Sequence, residues 1–233
     1  MRSAQALQSP THARDAYSTE AICARILERH RDRVSVRKPH LATANLAKII
    51  EAVLRLSSRQ GFHETSLRDL AKDSGLSMGG LYSYFDNKNT LLVMILTEVA
   101  ETVEAVLRDV PEGLPEKPVE HLRWLIETHI RLTEAMQPWF VFAYMEAKGF
   151  PAPARNLATE SELTTERIFS DVLDRGVAQG AFAIENVTLT ASLIKPLLQD
   201  WYVKRAKYRK RGTPIQTYID GVITFVERAI VKA

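Results

Sequence analysis

Between Thr65 and Phe85 the chain reads TSLRDLAKDSGLSMGGLYSYF, a stretch rich in hydroxyl, phenol and cationic side chains set around Gly75, Gly79 and Gly80. Side chains of these types donate and accept hydrogen bonds without breaking covalent bonds, and the spacing is that of a short helix, a tight turn and a second short helix. That arrangement places its second helix in the major groove of DNA. Leu67, Leu70 and Ala71 can pack the first helix inward, and Leu76 and Leu81 anchor the second. Ser77, Met78, Gly79, Gly80, Tyr82, Ser83 and Tyr84 are left for the groove-facing side or its edges. An ordinary helical hairpin inside a bundle would share this pattern. Other chemistry is poorly represented. His12, His30, His40, His63, His121 and His129 are scattered, and the last two, eight residues apart, have no cysteine or carboxylate pair beside them to complete a metal site. Glycine-rich phosphate loops, nucleophile elbows and paired carboxylates are not evident. The expectation is a protein without catalytic residues, cofactor or metal.

Several elements must position the 65–85 segment. Leu46, Ile49, Ile50, Val53, Leu54 and Leu56 recur at three- and four-residue steps from Thr43, which predicts an amphipathic helix ending at Gly61. Ser66, with Asp69 three residues later, has capping-box spacing ahead of a helix over 67–73. The next helix is expected over 77–85, and a long one runs from Lys88 or Asn89 to Leu107. Beyond a proline-rich loop, proline and glycine breaks predict helices over 119–136, 138–148, 153–178, 187–209 and 214–231. The fold class is all-α: a three-helix helix-turn-helix unit ahead of a larger helical domain.

The chain has 233 residues with a formal net charge of +3. Residues 1–40 hold eight basic and four acidic residues, so the whole excess lies in this arm. Such asymmetry suits an anionic partner, although a solvated tail would look the same. Arg25, Arg29, Arg31, Arg33, Arg37 and Lys38 stand directly before the first helix of the three-helix unit. Cys23 is the one cysteine and has no internal disulfide partner. With no apolar run of membrane-spanning length and no signal-peptide core, a cytoplasmic location is expected.

Gly61-Phe62, Thr65-Ser66, Asp69-Leu70-Ala71, Gly75-Leu76-Ser77, Gly79, Leu81-Tyr82, Tyr84-Phe85, Asn87-Lys88 and Leu91 together resemble the DNA-binding domain of the tetracycline-repressor (TetR) family of transcription regulators. The resemblance covers Thr43 to Leu92 and is specific in residue type and spacing; the rest of the chain matches only in layout. Residues 1–40 read as a basic arm, partly disordered or helical, and the resemblance implies a DNA-binding domain over 41–90 and an effector-binding and dimerisation domain over 91–233. It also implies phosphate contacts from Ser66, Tyr82, Tyr84 and Lys88, and base reading by Arg68, Met78, Gly79, Gly80 and Ser83. Position 80 departs from the family, which usually has threonine, serine or alanine there. Adjacent glycines weaken a short helix and bare its backbone, which is expected to shift specificity onto Met78, Ser83, Arg68 and DNA shape.

For the larger domain the resemblance implies a small-molecule effector. Candidate lining residues are His121, Trp124, Thr128, Phe142, Met145, Glu146, Phe169 and Leu193. The apolar run PWFVFAYM over 138–145 is expected to be buried. Lys204, Arg205, Lys207, Arg209, Lys210 and Arg211 either complement a helix C-terminus or form a rim for an anionic, acyl-CoA-like ligand. The last two helices match the family's dimer-forming pair, so a homodimer on a palindromic operator in double-stranded DNA is expected, with no membrane partner. Two other readings stay open: an adaptor that kept the fold but lost DNA binding, and an enzyme or carrier built on the helical domain.

Overall fold

A computed structural model describes residues 3–7, 9–30 and 39–232. Among them are thirteen α-helices, one 3-10 turn and a single isolated bridge, Phe182 to Val231. The chain is all-α, as its periodicities predict. Two compact units divide it: residues 11–101 with 138–159, and residues 102–137 with 160–233 and the N-terminal segment.

The first unit contains α2 (Pro10–Ala16), α3 (Thr19–Arg29), α4 (Pro39–Gln60), α5 (Leu67–Ser74), α6 (Met78–Tyr82), most of α7 (Lys88–Arg108) and most of α9 (Gln137–Met145). Helix α4 begins at Pro39, four residues before the periodicity suggests, because proline's fixed φ suits a first turn. Its inner face of Leu46, Ile49, Ile50 and Val53 is fully buried. Helix α5 has the capping box expected of Ser66 and Asp69, and Gly75 closes it in the left-handed region at φ +72. Helix α6 stops at Tyr82, earlier than the predicted 85. The Tyr84 N–H donates to the Leu81 carbonyl, closing a tighter turn, and Tyr84 and Phe85 then both enter the core.

Within the N-terminal arm, α3 is ordered and packs on α4 through Ile22, Cys23 and Ile26, all fully buried. Arg25 Nε and Arg29 Nη1 each donate to the carboxylate of Glu98 on α7 at 2.7 Å, and Glu98 itself is fully buried. Arg29 also pairs with Glu101. Two of the arm's six candidate cations therefore brace α3 within the fold. Arg31, Arg33, Arg37 and Lys38 lie outside the described residues. Burial pushes the Cys23 thiol well above its ordinary range, so it behaves as a small apolar group.

Segment 138–159, assigned to the second domain by sequence, belongs to this first unit. Phe142 and Phe150 meet Phe62 edge-on, at 5.5 and 6.3 Å between ring centroids, and bind the segment locally. Its helix is not buried throughout: Trp139, Phe140 and Phe142 face inward, whereas Tyr144 and Met145 are exposed.

The second unit contains α1 (Ser3–Ala6), α8 (Pro118–Ala135), the later part of α10 (Ala152–Ala178), α11 (Val187–Val203), α12 (Arg205–Lys210) and α13 (Ile215–Ile230). Helix α8 packs on α11 and α13. Trp201 is fully buried; its indole N–H donates to Glu134 at 2.9 Å, and its ring packs with Tyr208 and Tyr218. The helix predicted over 187–209 breaks at Lys204. The bend lets Lys204, Lys207 and the Tyr208 hydroxyl converge on the Asp200 carboxylate, which seven or eight residues of straight helix would not allow. Helix α10 ends at Ala178, where the sequence pattern ends it, and Gly180 follows at φ +72. A Cβ on Gly176 would lie 2.0 Å from the Phe182 ring, which folds back against the helix.

Candidate nucleic-acid interface

The turn before α5 is built by Lys88. Its ammonium donates to the carbonyls of Phe62, His63 and Thr65 at 2.8, 2.8 and 2.9 Å, and lies 4.8 Å from the centre of the Phe62 ring. Three acceptors match the three protons of an ammonium group. The family resemblance assigns Lys88 to phosphate, but here it organises the loop that presents α5. Glu146 serves the same loop, accepting from the Phe62 N–H at 2.8 Å. Thr65, fully buried, donates its hydroxyl to the Gly61 carbonyl.

Ser66 is exposed and accepts from the Asp69 N–H, while its own N–H and hydroxyl donate to the Asp69 carboxylate. Those two donations hold the Asp69 carboxyl below its ordinary range. Asp69 thus occupies the donors that a phosphate at this helix N-terminus would otherwise meet. Ser77 caps α6 in the same way, accepting from the Gly80 N–H at 3.1 Å, and the Ser83 hydroxyl donates to the Gly79 carbonyl.

The surface around these caps is uneven. Arg68, Ser77, Gly79 and Tyr82 are exposed; Met78, Gly80 and Ser83 are half-buried. Tyr84 is buried at 3% exposure and faces Asn45 of α4, so it supports α6 from behind and does not reach the outer surface assigned to it. A Cβ on Gly79 would meet open space, whereas one on Gly80 would press on the Ser77 Oγ at 3.3 Å. The bare backbone is therefore a surface feature at Gly79, while glycine at 80 leaves room for the helix cap. Among the cations of α4 and α5, Arg55 pairs with Asp73 at 2.6 Å. Lys48, Arg59, Arg68 and Lys72 remain exposed.

This geometry agrees with comparisons to known proteins. Residues 49–95 match the model for bacterial regulatory proteins of the tetR family, and residues 115–203 match a tetracyclin repressor-like C-terminal domain. The chain belongs to the TetR family. It is similar to the HTH-type transcriptional regulator HbdR of Aromatoleum sp. (strain CIB), at 27% identity over 82% of this chain and 83% of HbdR. It is also similar to the regulator PksA of Bacillus subtilis (strain 168), at 33% identity over 54% of this chain and 69% of PksA. Among solved structures, FadR from Bacillus subtilis in complex with stearoyl-CoA shares the fold at TM-score 0.59 and 18% identity, covering 78% of this chain and 97% of FadR. This TetR-family chain is a helix-turn-helix transcriptional regulator.

The candidate effector residues separate into two groups. Phe142, Met145 and Glu146 lie in the first unit, where Phe142 and Glu146 serve the Phe62 turn and Met145 is exposed. His121, Trp124, Thr128, Phe169 and Leu193 lie in the second, where Leu193 is 64% exposed and points outward. His121, Thr128 and Phe169 are buried and Trp124 is half-buried. Sequence reasoning missed Arg175, which donates to His121, and Lys195, which is buried on α11. Each reads in sequence as an ordinary helical cation. Of the basic cluster, Lys204 and Lys207 pair with Asp200 and Arg205 pairs with Glu134, leaving Arg209, Lys210 and Arg211 exposed.

Proposed function

We propose that this regulator is a homodimeric, cytoplasmic repressor that holds a palindromic operator and releases it when a small molecule binds the second unit. In this reading residues 41–90 meet DNA, while residues 102–137 and 160–233 sense the effector and dimerise. The carrying observation is the exposed backbone of Gly79 beside Arg68, Ser77 and Tyr82, with each short helix capped by its own serine. Arg68 reads a base edge, Tyr82 orients on phosphate, and the Gly79 backbone approaches the groove.

Dimerisation is supported by Leu189 and Leu193 on α11 and Phe225 on α13, which are 53%, 64% and 64% exposed in the single chain. A two-fold pairing through these helices sets the recognition helices about 34 Å apart, one turn of duplex. An acyl-CoA-like effector is supported by the exposed Arg209, Lys210 and Arg211 and by the stearoyl-CoA complex of a protein sharing the fold. Electrophoretic mobility of DNA flanking the chain's own gene tests the reading. A shifted band that acyl-CoA abolishes is expected, and the absence of any shift at all flanking sequences would refute it.

A further inference from the structure

Residues 61–66 carry the chain from α4 to α5, and most of their backbone groups are satisfied close by. The Gly61 N–H donates to the Ser57 carbonyl and the Thr65 N–H to that of Phe62. The Thr65 hydroxyl serves the Gly61 carbonyl, Lys88 serves those of Phe62, His63 and Thr65, and the Ser66 N–H meets Asp69. One bond departs from this local pattern. Among the described hydrogen bonds of the turn, only that from the Phe62 N–H leaves residues 57–88, and it ends on Glu146 Oε2 at 2.8 Å. Glu146 falls within the stretch that matches the C-terminal domain model, 115–203, yet it belongs to the same compact unit as the helix-turn-helix.

Glu146 offers its carboxylate from a rigid frame. Its N–H donates to the Phe142 carbonyl at the end of α9, and its own carbonyl accepts from the Gly149 N–H in the 3-10 turn that follows. A Cβ on Gly61 would lie 3.8 Å from the same Oε2, so the carboxylate sits against the Gly61–Phe62 peptide. The Phe62 ring meets Phe142 and Phe150, which meet each other at 5.8 Å, and all three rings are buried. Segment 142–150 thus grips Phe62 by its side chain and by its backbone.

Phe62 stands four positions ahead of Ser66, the N-cap of α5. Helix α5 carries Arg68 and packs on α6, which carries Gly79 and Tyr82. A binding constellation must be held to within about 0.5 Å of its productive geometry. Three packed rings supply stability but little direction. A carboxylate aimed at one backbone N–H adds direction, because a hydrogen bond weakens steeply off its axis. We infer that Glu146, backed by Phe142 and Phe150, is a positioning residue for DNA reading: it fixes the entry of α5, and through α5 the pose of α6. The inference rests on the DNA-binding reading above and extends the reading head to residues outside 41–90.

Two measurements on the full-length protein, made well below its melting temperature, test this. Amide hydrogen exchange is followed over residues 61–70, with α13 as the internal control. Fluorescence anisotropy gives the ratio of affinities for an operator duplex and a scrambled duplex of equal length. Glu146→Leu is expected to speed exchange over 61–70 with α13 unchanged, and to lower the affinity ratio about tenfold. Glu146→Gln loses the same charge but keeps an oxygen that accepts, so it is expected to recover most of the ratio. Phe150→Leu is expected to move both readouts in the same direction by a smaller factor, and serves should Glu146→Leu fail to fold. A lower melting temperature with an unchanged ratio, a glutamine variant as poor as the leucine one, or unchanged exchange over 61–70 would overturn the inference. Should the unmodified protein bind no duplex, the DNA-binding reading falls, and exchange alone then decides whether Glu146 fixes the entry of α5.

Discussion

The helix caps of the helix-turn-helix and the His121–Arg175 pair of the second unit treat their polar groups differently. Around α5 and α6 the capping and turn groups are satisfied locally: Ser66 and Asp69 cap each other, Ser77 caps Gly80, and Lys88 serves three carbonyls. In the second unit, His121, Arg175 and Thr128 keep buried polar atoms without a partner among the described residues. A reading head must hold its shape before it meets DNA, so its helix caps are closed within the chain, although the buried Ser57 hydroxyl behind them meets no partner among the described residues.

The largest expected effect comes from acid. His121 stays neutral in the folded protein down to about pH 4, whereas the unfolded chain protonates near its ordinary value of about 6.5. The unfolded state therefore binds more protons, and stability is lost as pH falls from about 6.5 to 4, by up to about 3 kcal/mol. His129, held neutral by burial and by Lys195, adds in the same direction. Thermal melts across this window should show the loss, and His121→Asn should flatten it; an identical slope in the variant would remove the contrast with the DNA-binding unit.

Lys88→Met comes next, removing a charged donor from three carbonyls, with an expected loss of about 2 kcal/mol in chemical denaturation. If Lys88 instead serves phosphate alone, DNA affinity would fall with stability unchanged. Arg68→Ala should cost about 1–3 kcal/mol of operator binding, concentrated at one base position, and leave the melting temperature unaltered. The smallest effect separates fold from function most cleanly. Gly79→Ala places a methyl in open space, so helix propensity should raise stability by up to about 1 kcal/mol while operator affinity falls. Equal or improved affinity would show that the backbone there does not approach DNA.

The reading head was legible in the sequence because its signals are local. Ser66 and Asp69 are three residues apart, Gly75 marks a left-handed turn, and the α4 periodicity names its buried face. What local pattern missed was decided over long range. Lys88 finds its carbonyls 23 to 26 residues away, and Tyr84 is drawn under α6 toward Asn45. Partners in the second unit were less legible for the same reason. His121 and Arg175 are 54 residues apart; in the first unit, likewise, Glu146 bonds to a backbone N–H 84 residues away. No period in a single helix encodes such partners.

Base-by-base substitution of the operator, read by fluorescence anisotropy for the unmodified protein and for Arg68→Ala, tests the central claim most directly. The expected result is a palindromic site whose half-sites lie one helical turn apart, with the variant losing discrimination at one symmetric base pair in each half. Equal affinity for every substituted duplex, at a salt concentration where the protein still binds, would contradict it.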